Sequence, residues 1–292
     1  MSGESAMTSF ELPYDGTMNL PTPDLTGQRD EDAVFEIINP QGAADVLLIC
    51  DHASNRIPPG YDDLGLAPEL LQRHIAWDIG AADVTRRISQ SIDCPAILSG
   101  YSRLFVDVNR QAGNPGWMPE VSDHIEVPGN RGLDEAEIAR RKSVWYDPYH
   151  AAVERLVDGF LTRDVVPAIY SIHSFTPIMD GFERPWHVGV LWNLDSRLAL
   201  PLSSALSAFP GAVIGDNEPY AGSDPSGYSI HIHGEERGVP VVAVEVRQDL
   251  IDTHHGAEVW AGRLAAGIKQ TVAAGQPWTL EPNPSWEGAL KT

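Results

Sequence analysis

The run Val46-Leu47-Leu48-Ile49-Cys50 passes without a break into Asp51-His52-Ala53-Ser54-Asn55, and this junction constrains the fold more than any other stretch. Five consecutive apolar residues, most of them branched, are too short for a free-standing helix and match a strand buried on both faces. Strands of that kind belong to α/β sheets, whose ligands bind beyond the carboxyl ends of the strands. Asp51, His52 and Asn55 then stand at the rim of a binding crevice.

The same layout recurs along the chain. Residues 103–108 run into Asn109-Arg110, residues 166–172 into His173-Ser174-Phe175, and residues 239–244 into Glu245-Val246-Arg247. One polar residue ending a strand is ordinary. Two His, a Glu and an Asn-Arg pair gathered at one sheet edge form the chemical mixture that hydrolytic metal sites use.

Other segments fill in an alternating pattern. Strands are expected at 34–38, 94–98, 187–192 and 212–214 as well. Helices are expected at 66–75, 81–92, 134–161, 195–209, 229–237 and 255–274. Asp134 is the expected N-cap of the third helix, Pro148 should kink or divide it, and Gly238 should close the fifth. Loops 111–132 and 217–228, rich in Gly and Pro, are of the length that lids and binding loops have. The expected architecture is a three-layer α/β sandwich around a central mixed, mostly parallel sheet. Residues 1–32 read as a flexible N-terminal arm and 33–292 as a single catalytic domain.

Composition narrows the partners. Asp and Glu number 41 against 20 Lys and Arg, a formal charge of −21, which repels nucleic acid and anionic membrane surfaces. With only Cys50 and Cys94, and Cys50 inside the buried run, a disulfide framework is not expected. No apolar run approaches the ~20 residues of a membrane helix and the first residues lack a signal-peptide pattern, so a cytoplasmic location is expected.

The candidate chemistry follows from the residue types. Catalytic zinc, or another divalent transition metal, takes three protein ligands and keeps a position open. His52 and His173 supply nitrogens, and the third ligand is Asp51 or Asp78. Asp51 adjoins His52 along a strand and points to the opposite face, whereas Asp78 qualifies if the helix near Gly80 starts beside that strand. The other role open to Asp78 is a helix cap. Glu245, leaving a buried run, has the surroundings of a general base with a raised pKa, or else pairs with Arg247 or Arg110. Arg103 and Arg110 offer forks for a small anionic substrate. His231 and His233 lie two apart on a helix, so at most one faces the site, and His233 is the alternative proton shuttle. Ser174 lacks a nucleophile elbow, and no phosphate loop stands in context.

Taken together, Cys50-Asp51-His52-Ala53-Ser54-Asn55 with Pro58, Tyr101-Ser102-Arg103 through Asp107-Val108-Asn109-Arg110, His173-Ser174-Phe175, and Val244-Glu245-Val246-Arg247-Gln248-Asp249-Leu250-Ile251 resemble the N-formylglutamate amidohydrolase family over nearly all of 34–275. That family is similar to the zinc carboxypeptidases. The resemblance implies a zinc-exopeptidase-like fold and hydrolysis of an N-formyl or other N-acyl amino acid, nominally N-formyl-L-glutamate, to formate and L-glutamate, a step of histidine degradation. It implies His52, Asp78 and His173 as metal ligands, Glu245 as catalytic base, and a substrate site from Arg103, Asn109, Arg110, Asn55, Ser174, Tyr228 and His233. The carboxypeptidases carry Glu three residues after the first His; here Asn55 stands there, and Asp78 takes the ligand role. The competing readings are a small-peptide carboxypeptidase-like hydrolase and a non-catalytic binding protein of the same fold.

Overall fold

The computed structural model describes residues 33–222 and 227–281. The expected arm at 1–32 lies outside them. In chain order the elements are β1 (Phe35–Ile38), β2 (Val46–Cys50), α1 (Pro68–Leu71), α2 (Ala81–Ile92), β3 (Ala96–Ser99), β4 (Val121–Ser122), β5 (Ile125–Glu126), α3 (Glu135–Arg141), α4 (Asp147–Leu161), β6 (Ala168–Phe175), β7 (Ile178–Met179), β8 (Phe182–Glu183), β9 (Val188–Leu191), α5 (Ala199–Ser207), β10 (Ile214–Asp216), α6 (Tyr228–His233), β11 (Val241–Arg247) and α7 (His254–Gly275).

Alternation along the central strands builds two cores. Val46, Leu48 and Cys50 face one side with Ile172 and Val244, where α2, α5 and α7 cover them. Leu47 and Ile49 face the other side with Ile169 and Ala243, beneath α4 and the segment around Leu104 and Phe105. All five residues of β2 are buried, as a strand sandwiched between two helical layers requires. The sheet order is β1-β3-β2-β6-β11-β9-β10. β3, β2, β6 and β11 run parallel, while β1 on β3 and β9 on β11 are antiparallel. This is the expected mixed, mostly parallel sandwich. The parallel run brings the carboxyl ends of β2, β6 and β11 to one edge.

One expected strand is absent. Residues 101–108 form successive turns instead: Ser102 Oγ donates to Ala76 O at 2.7 Å and accepts from Leu104 N at 3.1 Å, and Phe105 N donates to Ser102 O at 3.0 Å. A hydroxyl that engages the backbone locally competes with a sheet ladder. The stretch is apolar because Leu104 and Phe105 plug the second core, not because it pairs with a neighbour.

The long third helix is divided, as Pro148 requires. Asp134 accepts from Glu137 N at 2.8 Å as its cap, α3 ends at Arg141, a π-turn occupies Lys142–Tyr146, and Pro148 sits in the first turn of α4, where its missing N–H costs nothing. The expected helices at 66–75 and 195–209 contract to α1 and α5. The one at 229–237 breaks at Gly234 into α6 and a short 3-10 turn, with Gly238 closing it at φ +69°. The loops also hold two hairpins that the sequence pattern does not announce. β4 and β5 turn at Asp123 and His124, and β7 and β8 turn at Asp180-Gly181, all four with positive φ, as tight hairpin turns demand.

Candidate metal centre and cavity

Strand register sets the first pair. Glu245 of β11 is the parallel partner of His173 of β6, so both side chains project on the same face at the same height. His52 stands two residues past the end of β2, one strand further along. Asp78 reaches this edge through the backbone: its N–H donates to His52 O at 3.0 Å. The turn that brings it in depends on Gly80, whose φ is +81° and where a Cβ would stand 2.3 Å from Ile251 O. Gly80, not Asp78, is the residue preceding α2, and no side chain caps that helix. The Asp78 carboxylate turns inward instead.

There it meets both imidazoles. Asp78 Oδ2 lies 2.8 Å from His173 Nδ1 and 3.3 Å from His52 Nδ1, and accepts from Ser174 N at 3.3 Å. One donor atom from each of His52, Asp78 and His173 falls within 4.8 Å of the others, and all three residues are buried. The outward ring nitrogens are held as well. His52 Nε2 lies 2.7 Å from Asp107 Oδ1. His173 Nε2 lies 2.9 Å from Ser171 Oγ and 3.4 Å from Asp51 Oδ2. Carboxylates that orient the far side of ligating imidazoles are the usual support of metal sites.

The field at this point favours a cation. Burial pushes the Asp78 and Asp107 carboxyls up, but His52 and His173 at Asp78, and His52 and Arg103 at Asp107, outweigh it and leave both below the usual carboxylate range. Asp51 is likewise brought down to about 2 against its burial by His173, His52 and Tyr149. Both imidazoles are raised in turn: for His52 burial and Arg103 oppose this and Asp107 and Asp78 prevail, and for His173 Asp51 and Asp78 prevail over burial. Three buried carboxylates around two His are a donor set suited to a divalent metal.

Glu245 differs from these. Burial, only partly relieved by His173, raises its pKa to about 7, and its Oε2 is buried without a hydrogen-bond partner among the described residues. Arg247 is not that partner, since it pairs with Asp249 and donates to Arg184 O. An unsatisfied buried acceptor at a cleft calls for an explanation other than packing.

A cavity of about 460 Å³ opens over this group, lined by His52, Asp78, His173 and Glu245. Of the expected substrate residues, Arg103, Asn109, Arg110 and Ser174 also line it. Arg103 is held by Asp78 Oδ1 at 3.4 Å and Asp107 Oδ2 at 3.1 Å. The nearest carboxylate to Arg110 is Asp107, 3.8 Å from its Nε. Asn109 Oδ1 accepts from Ser229 N at 2.9 Å, and Ser174 Oγ donates to Ile79 O at 2.9 Å.

Asn55, Tyr228 and His233 are not brought to the cavity wall. Asn55 Nδ2 donates to Leu71 O at 2.9 Å, because the chain after His52 turns away over α1. Tyr228 stacks on Tyr146. His233 Nε2 lies 3.0 Å from His150 Nδ1, and His231 pairs with Glu235 at 2.6 Å, so α6 turns both imidazoles into packing contacts. The wall also contains residues that were not among the expected site residues: Asp107, visible within Asp107-Val108-Asn109-Arg110; Tyr220, inside the loop 217–228; and His74 and Asp123, which carry no motif and meet only in three dimensions.

Residues 44–252 match the family model of N-formylglutamate amidohydrolase. The chain belongs to that family. It is accordingly a hydrolase acting on an amide bond. A crystal structure of a gene product from Agrobacterium tumefaciens is 33% identical, with a TM-score of 0.81 over 84% of this chain and 96% of that one. The N-formylglutamate amidohydrolase of Ralstonia eutropha, 18% identical, shares the fold with a TM-score of 0.58 over 82% and 97% of the two chains. No curated protein matches. Among the described residues no helix is long and apolar enough to cross a membrane.

Proposed function

We propose that this family member is a zinc-dependent amidohydrolase of N-formyl amino acids, N-formyl-L-glutamate being the nominal substrate, in which water and the formamide give formate and a free amino acid. The observation that carries the reading is the register pair Glu245 and His173, with Asp78 and His52 closing around them and Glu245 Oε2 left without a partner. His52, Asp78 and His173 would hold the metal, whose contribution when bound is Lewis acidity at the scissile carbonyl.

The remaining work falls to the chain. Glu245, with a pKa brought to about 7 by burial, takes a proton from the attacking water as the new C–O bond forms and then returns it to the departing nitrogen as the C–N bond breaks. Asp107 and Asp51 fix the ring orientation of the two His. Arg110, whose guanidinium makes no hydrogen bond among the described residues, receives the substrate carboxylate in a two-pronged grip. Arg103, already between Asp78 and Asp107, balances their charge and keeps both carboxylates in place. The reading as a binding protein drew on Asn55 at a ligand position. With Asn55 bound to Leu71 and Asp78 at the imidazoles, that support is gone.

The test is formate release from N-formyl amino acids by purified protein of known metal content. Activity should vanish with a chelator and return with zinc or cobalt. Protein with less than about a tenth of an equivalent of zinc and no recovery on adding metal would sink the proposal. Release of a C-terminal residue from dipeptides in place of formate would make it a carboxypeptidase.

A further inference from the structure

Resting on the amidohydrolase reading, we infer that Ser229 is a positioning residue that ties Asn109, in the wall of the substrate cavity, to the metal centre, so that the two form one hydrogen-bonded unit. Ser229 is fully buried and is not a wall residue, yet its two donors serve different parts of the site. It stands in the first turn of α6, where a backbone N–H has no partner within the helix. Asn109 supplies the partner, its Oδ1 accepting from Ser229 N at 2.9 Å. The Ser229 hydroxyl donates to Asp51 Oδ1 at 2.8 Å.

Each contact fixes a group that acts elsewhere. A backbone N–H only donates, so the amide atom that faces Ser229 is the Asn109 carbonyl oxygen. Asn109 lines the cavity, and its Nδ2, which has no hydrogen-bond partner among the described residues, is left as a donor for a substrate oxygen. On the other side, Asp51 Oδ2 stands 3.4 Å from His173 Nε2 and accepts from Ser171 Oγ at 3.2 Å. With its one hydrogen given to Asp51, the Ser171 hydroxyl accepts from His173 Nε2, 2.9 Å away, which in a neutral imidazole leaves Nδ1 as the lone-pair atom on the Asp78 side.

The circuit closes through the backbone of Asn109. Its N–H donates at 2.9 Å to Asp107 Oδ1, the atom that lies 2.7 Å from His52 Nε2. Contacts therefore run from Asn109 through Asp107 to His52, through Asp78 to His173, and through Asp51 to Ser229 and back to Asn109. Every residue in the circuit is buried. Removing one link from a satisfied buried network loosens the groups on both sides of it, and the Ser229 hydroxyl is the link that joins the His173 side to the cavity wall.

The experiment is the zinc affinity of the full chain by chelator competition, read without substrate, in a double-mutant cycle of Ser229→Ala and Asn109→Ala. Ser229→Ala should weaken zinc binding about tenfold, and Asn109→Ala about threefold, although the Asn109 side chain hydrogen-bonds to no proposed ligand. The double variant should bind zinc no more weakly than Ser229→Ala alone, because the hydroxyl that carries the coupling is already gone. At saturating zinc, Ser229→Ala should raise KM for the N-formyl amino acid about three- to tenfold. Ser229→Thr, which keeps the hydroxyl, should retain both zinc affinity and KM. Melting curves establish that each variant is folded, and the two Ala variants decide the matter by themselves. Zinc affinity within twofold of the unsubstituted protein in Ser229→Ala would overturn the inference, as would losses that add in the double variant or a KM that does not move. Unsubstituted protein that binds no zinc faults the hydrolase reading, whereas zinc binding that ignores Ser229 faults the inference alone.

Discussion

The sheet edge and the segments that roof it are built on different principles. His173 and Glu245 lie on adjacent strands of the parallel run, locked by a register of seven residue pairs, and both are buried. Arg110, Asp123 and Tyr220 come from turns, a two-residue-per-strand hairpin and a long loop, where Val121 at 56% remains exposed. A ladder cannot shift one pair without shifting all of them, so groups that must meet within tenths of an ångström belong on it. Groups that only recognise a side chain can sit on loops, which change without disturbing the sheet. On the proposed reading, reaction type belongs to the edge and substrate choice to the roof.

Substitutions at the two levels should therefore fail differently. Glu245→Gln keeps shape but cannot accept a proton, so kcat should fall roughly 10² to 10⁴-fold with metal content unchanged. Metal analysis beside steady-state kinetics checks this, and joint loss of metal and activity would make Glu245 a ligand and break the division. Arg110→Ala, in the roof, should cost about 2 to 4 kcal/mol in kcat/KM while metal content and fold persist. Arg110→Lys should recover only part, because a point charge does not reproduce the fork. Equal kinetics in both variants would show that the roof does not read the carboxylate.

Asp51 tests the edge from behind. It accepts from Tyr149 and Ser229 at 2.8 Å each while standing 3.4 Å from His173 Nε2, so Asp51→Asn should weaken metal affinity about 10 to 100-fold in a chelator competition. Affinity within twofold of the unsubstituted protein would confine Asp51 to packing.

Further back, His150 and His233 are pressed by burial down to about 4 and about 3. Their folded-state values lie below the ordinary 6.5, so below that pH the unfolded chain binds protons that the folded chain refuses. Stability is complete above about pH 6.5 and declines as pH falls toward 4, by up to about 1.4 kcal/mol per pH unit for each imidazole. Denaturant melts between pH 7 and 4.5 should show the slope, and His150→Phe should flatten it. Least of all should be the exposed contact between His124 and Asp180 that links the tips of the two hairpins, at 3.4 Å. His124→Ala is expected to leave melting temperature and kinetics within error, and a marked loss of activity would mean that the hairpins act as one unit.

Much of the edge was legible in the chain because each part of it is local. An all-apolar run that ends in Asp51-His52, or a mostly apolar one that ends in His173-Ser174, announces a buried strand and its rim within ten residues. Asp78 was readable only as a choice between ligand and cap. What decides it is the contact of Asp78 N with His52 O and the steric demand at Gly80, both made by residues far apart in sequence. Residues 101–108 had the composition of a strand, yet burial against the second core produces the same composition as pairing in a sheet, and Ser102 diverted the backbone. The sequence by itself determined the buried strands of the parallel run and the polar residue types at their ends, because strand periodicity and motif spacing are properties of neighbours along the chain. Only the tertiary structure decided that Arg103 is held by two carboxylates while Arg110 stands 3.8 Å from one, that Asn55 faces away, and that Asp123 pairs with Arg73 at the cavity wall, because each depends on which polar group the folded chain brings within a few ångströms of another.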